Sequence, residues 1–436
     1  MFDILSFLEE KRDGMVHKAA DIETFVNQFH QGTIPDYQVS AWLTSVYHKG
    51  LSTEELKTLT LALAHSGHVV SFPQGFKAAD KHSTGGVGDK TTLVVVPLVA
   101  ASGVSVAKLS GRGLGFTGGT VDKLEAIPGM NVHLSTEAFM NQVHRIGCAI
   151  SGHSLELAPA EGKFYALRDV TATVPSLPLI CSSIVSKKIA GGASSFVFDV
   201  KCGRGAFMQT FSGARDLAEA LVSLSASLGR PSMAVISAMD QPLGKWVGNS
   251  MEVYEAIRVL QGAGPSDTET LSLNLAGTMI YLGGKATSLA EGIEMSQNTL
   301  KSGKALEKFK ELIIAQQGDG AVCDSPEKVL KPAEKKYTVF ASESGFVSDL
   351  NARSIGEGVK RIGGGRTRQE EHIDLKVAVH LIAKIGDYVE KGDPLLDIYY
   401  SKEEKLQQAI FYFEHAVTLQ SIKPLDQNLI MEIVAS

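Results

Sequence analysis

The stretch KHSTGGVGDK at residues 81–90 combines three glycines with lysine, histidine and hydroxyl side chains. Glycines let backbone N–H groups approach an anion closely, and lysine ammonium and hydroxyl groups can close around it. A second stretch of the same character, SGRGLGFTGGT, spans residues 110–120. Each stretch leads into a predicted helix, whose first N–H groups and dipole favour negative charge. Together they predict a site for one phosphate-like anion.

The side chains able to bind this anion are cations and hydroxyls from both stretches and from the elements beside them. A polar turn or a capping hydroxyl is an equally simple reading of any one of them. Charge-assisted hydrogen bonds contribute about 1.5–3 kcal/mol each, so several acting together can hold inorganic phosphate from water. The candidates are Lys81, Ser83, Thr92, Lys108, Ser110 and Thr120.

Two better-known nucleotide motifs fit the same stretches less well. GGVGDKTT ends like a phosphate-binding loop of nucleotide hydrolases, but Asp89 and Thr84 stand where that motif has glycines. Gly113, Gly115 and Gly118 have the spacing of a dinucleotide fingerprint, between a plausible strand and a helix. No acidic residue closes the next strand, so a dehydrogenase stays an alternative only.

Composition excludes several classes of partner. The chain has 436 residues, 44% of them apolar, and a net charge of −6, which suits a globular protein and argues against nucleic-acid binding through bulk positive charge. The longest uncharged stretch, 91–107, is shorter than a membrane span, and the N-terminus does not resemble a signal peptide. The 4 cysteines form no CxxC pair, which predicts reduced thiols and a cytoplasmic protein.

The pattern of helices, strands and glycine loops predicts an α/β fold with additional regions. Residues 1–70 read as a small helical domain, to which 163–193 return. Alternating helices and strands over 71–335 predict a phosphate-binding α/β domain with a mainly parallel, mixed sheet. A polar stretch at 316–336 reads as a linker, and 336–436 as a C-terminal α+β module.

Several long motifs carry a family resemblance that covers nearly the whole chain. They are SGRGLGFTGGTVDKLEAIPG, YALRDVTATVPSLPLICSSIVSKKIAGG, DVKCGRGAFM and QPLGKWVGN. The chain resembles the thymidine/pyrimidine-nucleoside phosphorylase family, and the pyrimidine-nucleoside phosphorylases most closely. The resemblance implies phosphorolysis of uridine, thymidine and deoxyuridine to free base and a pentose 1-phosphate. It also implies the same phosphate ligands that the loop chemistry predicts.

The resemblance further implies a site for the pyrimidine base, formed by His82, Arg168, Ser183 and Lys187. Loss of the base leaves negative charge on its ring, so fixed cations and a proton donor would bind the transition state better than the substrate. His82 is expected near the ring oxygen O2 as a general acid. Ser183 and Lys187 are four residues apart and therefore share one helix face. The family also implies a homodimer. Because phosphate and base are expected on different domains, we expect a hinge that brings them together.

This chain departs from the family pattern at three positions. The resemblance implies a potassium ion at Gly88, Leu243, Trp246 and Glu255, but Lys90 stands where the family has a small hydroxyl residue, and an ammonium cannot ligate a cation. Lys90 either replaces the ion and pairs with Glu255, or points to solvent. Phe116 and Arg204 stand where histidine and serine are usual. No organic cofactor is implied.

Three other functions remain open at this point. One is a thymidine phosphorylase restricted to deoxyribose, because nothing in the sequence reads the 2′ position. Another is an inactive nucleoside-binding paralogue. The anthranilate phosphoribosyltransferases share the fold and the glycine loops but use pyrophosphate with magnesium, and the acidic metal ligands expected for that are not evident.

Overall fold

The computed structural model describes residues 2–113, 115–154, 156–366 and 371–435. Its N-terminal part is a helical bundle with Phe25, Trp42 and Phe164 in the core. Its fourth helix begins with a capping box, in which the side chains of Ser52 and Glu55 each accept a hydrogen bond from the other's backbone N–H group. The helices are α1 (Ile4–Arg12), α2 (Ala19–His30), α3 (Asp36–Lys49) and α4 (Thr53–Ala64).

The chain then alternates between strands and helices. The apolar helix predicted from Thr91 begins at that residue, with Lys90 as its N-cap, and it is buried on all sides. The elements of this stretch are β1 (Ala78–Ser83), α5 (Thr91–Ala101), β2 (Ser105–Ser110), α6 (Thr120–Leu124), α7 (Thr136–Ile146) and β3 (Cys148–Gly152).

Two helices return to the N-terminal bundle. The first, α8 (Pro159–Val170), packs on α2, α3 and α4, and the second, α9 (Leu177–Ala190), packs on α4. Lys188 anchors α9 to the strands, because its Nζ donates to Asp80 on β1 at 2.7 Å and to the carbonyl of Leu109 on β2 at 3.1 Å. The helical part of the molecule is thus tied to the edge of the sheet.

The rest of the α/β region completes the sheet and covers it. Residues 316–336, predicted as a linker, contain a 3₁₀ turn at Gly320–Cys323 and a short helix, with Val322 and Leu330 in the main core. That prediction is wrong, because the polar composition concealed these buried side chains. The elements are β4 (Ser195–Cys202), α10 (Phe211–Ser227), β5 (Ser232–Ala238), β6 (Trp246–Val247), α11 (Asn249–Leu260), α12 (Ser266–Leu282), α13 (Leu289–Lys301), α14 (Lys304–Ala315) and α15 (Pro326–Val329).

The C-terminal part is built mainly from antiparallel strands around a core of its own. Gly386 and Gly392 lie at tight turns, where both have positive φ. A π-helical turn at Lys360–Gly364 follows the first helix. The elements are β7 (Lys335–Phe340), β8 (Gly345–Leu350), α16 (Ala352–Val359), β9 (Ala378–Leu381), β10 (Tyr388–Val389), β11 (Pro394–Tyr400), α17 (Glu403–Glu414), β12 (Val417–Gln420) and β13 (Ile430–Ala435).

The central sheet has the strand order β13-β5-β4-β1-β2-β3. All neighbouring pairs are parallel except β13 with β5, so the predicted mainly parallel, mixed sheet is confirmed. The last strand therefore belongs to the large sheet, and the boundary predicted for the C-terminal module at 336–436 is wrong for this strand. Because β13 covers the edge of β5, the parallel strands are shielded on that side.

Strands from the C-terminal part also pair with the α/β region at a second place. Strand β6 joins β9 in the sheet of order β6-β9-β11-β7, while β8, β10 and β12 form a separate sheet. The segment Pro242–Trp246 that leads into β6 thus lies at the junction of the two regions. Among the helices of the described residues, none is long and apolar enough to cross a bilayer.

Candidate active site

The glycine loops lie at the topological switch point of the sheet, where successive strands are added on opposite sides of β1. The chain runs from β1 to β2 on one side, whereas β4, on the other side of β1, leads on to β5. In open α/β sheets, ligands bind outside the carboxyl ends of strands at such a point. The loops after β1, β2 and β4 therefore border one crevice. Lys123 on α6 joins the first two loops directly, donating to the carbonyl of Asp89 at 2.5 Å.

Strand register brings the predicted phosphate ligands of the two loops to the same level. Ala78 and Ala79 pair with Ser105 and Val106, and the same offset places Lys81 level with Lys108. It likewise places Ser83 level with Ser110. Thr92 lies in the first turn of α5, and Thr120 is the first residue of α6. The structure thus brings all the predicted phosphate-binding residues to one edge of the sheet.

Lys81 is fully buried and is held by carboxylates from neighbouring elements. Its Nζ lies 2.9 Å from Asp199 on β4 and donates to Thr91 at 2.7 Å. Burial disfavours the ammonium, but Asp199 and then Asp89 outweigh burial and raise the pKa of Lys81. Lys201 Nζ, equally buried, also lies 2.9 Å from Asp199. Asp89 lies farther away, 3.9 Å from Lys81 Nζ and 4.0 Å from Lys201 Nζ. The two ammonium groups therefore share Asp199 at close range, with Asp89 as a more distant second partner.

Lys108 belongs to a second group of the same kind. Asp80 lies 2.7 Å from Lys188 Nζ and 3.7 Å from Lys108 Nζ, so one carboxylate again faces two ammonium groups. Burial, and then the charge of Lys188, hold the pKa of Lys108 well below its usual range. An anion placed beside Lys108 would raise this pKa by offsetting both the cost of burial and the repulsion from Lys188.

His82 lies on β1 between these lysines. The pKa of His82 is held well below its usual range. Burial lowers it most, and the charges of Lys188, Lys108 and Lys187 lower it further. His153, which follows β3, is affected in the same way, by burial and then by Lys187 and Lys188. Both imidazoles are therefore neutral near pH 7 in the ligand-free protein. Among the described residues around the crevice, these lysines outnumber the carboxylates that pair with them, which leaves the environment of both imidazoles positive.

Of the four residues predicted to bind the base, His82 lies on β1, and the other three lie on α8 and α9. Ser183 and Lys187 share one face of α9 as predicted, with Lys187 Nζ donating to Ser183 Oγ at 3.2 Å. Arg168 is buried and donates to the carbonyls of Leu179 at 2.9 Å and Val174 at 2.7 Å. The Tyr165 ring lies within 6 Å of both cations, with its centre 5.5 Å from Lys187 Nζ and 5.9 Å from Arg168 Cζ.

Lys90 occupies the place that the resemblance gives to a potassium ion. Its Nζ donates to the carbonyls of Leu243 at 2.8 Å and Trp246 at 2.9 Å, and to Glu255 at 2.5 Å. Gly88 lies against the same group, since a Cβ there would be 2.5 Å from the Leu243 carbonyl. The ammonium leaves no room for a metal ion among these oxygens. The residues present therefore do not fit a bound potassium ion.

A second lysine supports the same loop from the C-terminal part. Lys384 Nζ donates to the carbonyls of Pro242 at 2.5 Å and Gly244 at 2.9 Å, and to Asp267 at 3.1 Å. The carbonyl of Lys245 accepts from the N–H of Leu381 at 2.7 Å. Together with Lys90, these donors satisfy every carbonyl from Pro242 to Trp246.

The two other unusual residues, Phe116 and Arg204, face the C-terminal part. The centroids of the Phe116 and Phe207 rings are 6.0 Å apart, and Arg353 Cζ lies 5.1 Å from the Phe116 centroid. Arg204 makes a two-pronged ion pair with Asp349 on β8. Both residues thus connect glycine loops to the C-terminal part instead of pointing at the phosphate ligands.

Three sequence profiles match the chain. The profile "Glycosyl transferase family, helical bundle domain" matches residues 5–67, and "Glycosyl transferase family, a/b domain" matches 75–306. The profile "Pyrimidine nucleoside phosphorylase C-terminal domain" matches 346–420. The matched regions correspond to the helical bundle, the sheet region and the C-terminal sheets.

Curated relatives match over almost their whole length. The pyrimidine-nucleoside phosphorylase of Geobacillus stearothermophilus is 47% identical over 92% of this chain and 93% of its own. That of Bacillus subtilis is 48% identical over 92% of each chain. This chain belongs to the pyrimidine-nucleoside phosphorylase family. The chain shares its fold with the crystal structure of anthranilate phosphoribosyltransferase from Thermus thermophilus. The two are 18% identical and superpose with a TM-score of 0.59, over 71% of this chain and 99% of the other.

Sequence reasoning missed the carboxylates that hold the site together. Asp80, Asp199 and Glu161 are all buried beside predicted ligands, and none stood out from its spacing. His153 was missed as well. The available signal for Asp199 was a charge in the mainly apolar strand SFVFDVKC, where a buried charge needs a partner. Asp80 gave no such signal, because its strand AADKHS is mostly polar.

The lowered pKa values of His82 and His153 predict how stability depends on pH. The unfolded chain binds protons below about pH 6.5, where these partly buried imidazoles do not, so the free energy of unfolding should fall as the pH decreases through that value. Urea unfolding between pH 8 and pH 5 should show this loss, and phosphate should reduce it. The double variant His82→Asn/His153→Asn should lose less stability than wild type, whereas replacement of the exposed His68 by Asn should change nothing. An equal loss in the double variant would contradict the assignment.

Proposed function

We propose that this chain catalyses the phosphorolysis of pyrimidine nucleosides, giving free base and a pentose 1-phosphate. The observation that carries the proposal is the excess of buried positive charge running from the glycine loops to α9. Family membership supplies the reaction class, since the curated relatives are named as pyrimidine-nucleoside phosphorylases. The cations have two tasks in this reaction: binding phosphate and stabilising the departing base.

Phosphate binding fits the carboxyl edge of β1 and β2. Lys108, Ser110 and Thr120 would hold the anion from one side, and Lys81, Ser83 and Thr92 from the other. Lys81 is now engaged with Asp199 and Ser83 with Asp89, at 2.9 Å and 2.5 Å. Phosphate would therefore compete with these carboxylates for the same donors. An oxygen of the bound phosphate would then attack C1′ of the sugar.

The base would leave as the C1′–N1 bond breaks, with the bonding electrons passing to the pyrimidine ring. Lys187 and Arg168 would offset the charge that reaches the ring oxygens, and Ser183 would bind the ring edge. His82 is suited to protonate the base once phosphate is bound. The phosphate charge beside Lys108 would raise the lowered pKa of His82, so the acid would form only in the complex.

Phosphate and base would bind on different parts of the molecule, the phosphate at the sheet and the base on α8 and α9. We therefore expect closure between these parts to bring phosphate to C1′. Lys188 on α9, anchored to β1 and β2, marks the place about which such a motion would turn.

Release of free base tests the proposed reaction. Uridine, thymidine and cytidine should be incubated with the protein, with and without phosphate. We expect phosphate-dependent release from uridine and thymidine at comparable rates, and a kcat about 10²–10⁴-fold lower for His82→Ala. Release from deoxyribonucleosides alone would instead favour a thymidine phosphorylase, and no release would favour a nucleoside-binding paralogue. Normal turnover by His82→Ala would assign the proton to another group.

We also propose that Lys90 replaces the monovalent cation implied by the family resemblance. Its ammonium supplies one positive charge to Glu255 and donors to two carbonyls, as a potassium ion would supply charge to the same oxygens. The lysine is part of the chain and cannot dissociate. The position of the loop at Pro242–Trp246 would thus be independent of the salt present.

Lys90→Thr tests this replacement. Wild-type activity and stability should be the same in sodium and potassium buffers. The variant leaves Glu255 buried without its partner, so in sodium it should lose about 3–5 kcal/mol of stability, and potassium should restore part of it. Thermal denaturation and uridine turnover measure both effects. Lys245→Thr, in the same loop but exposed, is the matched control, and a strong potassium requirement of the wild type would overturn the proposal.

We propose that the protein acts as a cytoplasmic homodimer formed through its helical bundle. The free, buried thiols of Cys148, Cys181, Cys202 and Cys323 fit a reducing compartment. Tyr37 on α3 and Leu5 on α1 are 74% and 60% exposed, so both apolar side chains are available for an interface on the bundle.

Sedimentation analysis of Tyr37→Asp tests the dimer. The wild type should sediment at twice the chain mass, and the variant should shift toward one chain, because a buried unpaired charge opposes association. Ile422→Asp introduces the same charge at a side chain that is 76% exposed on the C-terminal part and should leave the mass unchanged. A wild type of one chain mass would refute the proposal.

A further inference from the structure

Glu161 is a buried carboxylate on α8 that contacts two of the residues predicted to bind the base. Ser183 donates its hydroxyl hydrogen to one carboxylate oxygen of Glu161. Lys187 Nζ lies 3.0 Å from the other oxygen. Only 4% of Glu161 is exposed, so water does not replace these contacts to the carboxylate. Glu161 was not among the residues that the sequence singled out.

These contacts determine how the Ser183 hydroxyl can bind a ligand. A hydroxyl has one hydrogen to donate and two lone pairs that accept. The hydrogen goes to Glu161, which as a carboxylate can only accept, and one lone pair receives the ammonium of Lys187 at 3.2 Å. The remaining lone pair can only accept a hydrogen bond. Ser183 therefore offers a ligand an acceptor and no donor.

The pyrimidine bases differ in what they present to such a group. Uracil and thymine carry oxygen acceptors at positions 2 and 4 and an N–H donor at N3 between them. Cytosine has an amino donor at position 4 and an acceptor at N3. Lys187 is only a donor, and the neutral imidazole of His82 has one N–H to donate. A donor, an acceptor and a donor in this order match uracil and thymine and oppose cytosine.

We propose that Glu161 is a positioning residue that sets the specificity for 4-oxo pyrimidines, by fixing Ser183 as an acceptor for N3–H and Lys187 as a donor for O4. This inference rests on the proposed function, because it takes the base to lie against Ser183 and Lys187. Glu161 does not touch the base and takes no part in bond breaking. Its effect is on which base is held.

A purely structural role for Glu161, neutralising Lys187, makes a different prediction. Losing that role would weaken the binding of every base to the same extent. If Glu161 instead orients the Ser183 hydroxyl, its loss would weaken the binding of uracil and leave that of cytosine unchanged, because the freed hydroxyl can donate to cytosine N3. The ratio of the two affinities therefore separates the roles.

Calorimetric titration of the full-length protein with free uracil and cytosine in phosphate buffer tests the inference. In Glu161→Gln the side-chain amide can donate a hydrogen bond to Ser183, so the hydroxyl hydrogen of Ser183 becomes free to donate to a ligand. We expect uracil affinity to fall about 10–100-fold while cytosine affinity is unchanged or rises. Glu161→Asp should retain the preference for uracil. Asp169→Asn, on the exposed side of the same helix, is the matched control and should behave as wild type.

A measurement on the wild type makes the test independent of variant folding. In 3-methyluracil a methyl group replaces the N3 hydrogen, so this base should bind as weakly as cytosine. Binding as tight as uracil would overturn the inference, and so would a Glu161→Gln variant with an unchanged uracil-to-cytosine ratio. In both cases phosphate-dependent release of base from uridine would leave the proposed function standing. A wild type that neither binds a base nor releases one would overturn both.

Discussion

The structure depends on keeping several lysine ammonium groups buried at one edge of a parallel sheet. A buried ammonium is costly unless a carboxylate lies beside it, and here the carboxylates are shared. Asp199 lies 2.9 Å from both Lys81 and Lys201. Asp80 serves Lys188 and Lys108 in the same way. This sharing holds β1, β2, β4 and α9 together and leaves positive charge for an anion to balance.

Helix α9 links the two halves of the proposed reaction because adjacent residues on it have different tasks. Lys188 points to the sheet and fixes the helix against β1 and β2. Lys187, one residue earlier, points to the neighbouring helix α8 and reaches Glu161. The same charge network thus positions the side chains proposed to bind the base and those proposed to bind phosphate. The pKa of His82, between them, responds to cations of both groups.

The C-terminal part is built into this arrangement and is not an appendage. Its Lys384 and the Lys90 at the start of α5 together satisfy the carbonyls of the loop before β6. Arg204 and Phe116 connect two glycine loops to β8 and α16, through Asp349 and Arg353. Strand β13 then returns to the central sheet. The loops around the crevice are therefore braced from a distant part of the chain.

Much of this could be predicted from the sequence, because it rests on local patterns. Glycine loops before helix starts and apolar periodicity act over a few residues, so the mainly parallel sheet and the positions of both glycine loops could be predicted. The four-residue spacing of Ser183 and Lys187 likewise placed both on one face of α9, as the structure has them. Specific motifs gave the family.

Only the tertiary structure could show which charges share a partner. Asp199 pairs with Lys81, and Glu161 pairs with Ser183, across more than twenty positions of the chain, and nothing in the spacing identifies these partners. The 316–336 stretch looked like a linker because burial of Val322 and Leu330 depends on contacts with distant helices. For the same reason, the sequence did not decide whether Lys90 forms an ion pair or points to solvent. Its partners at 243, 246 and 255 converge only when the chain has folded.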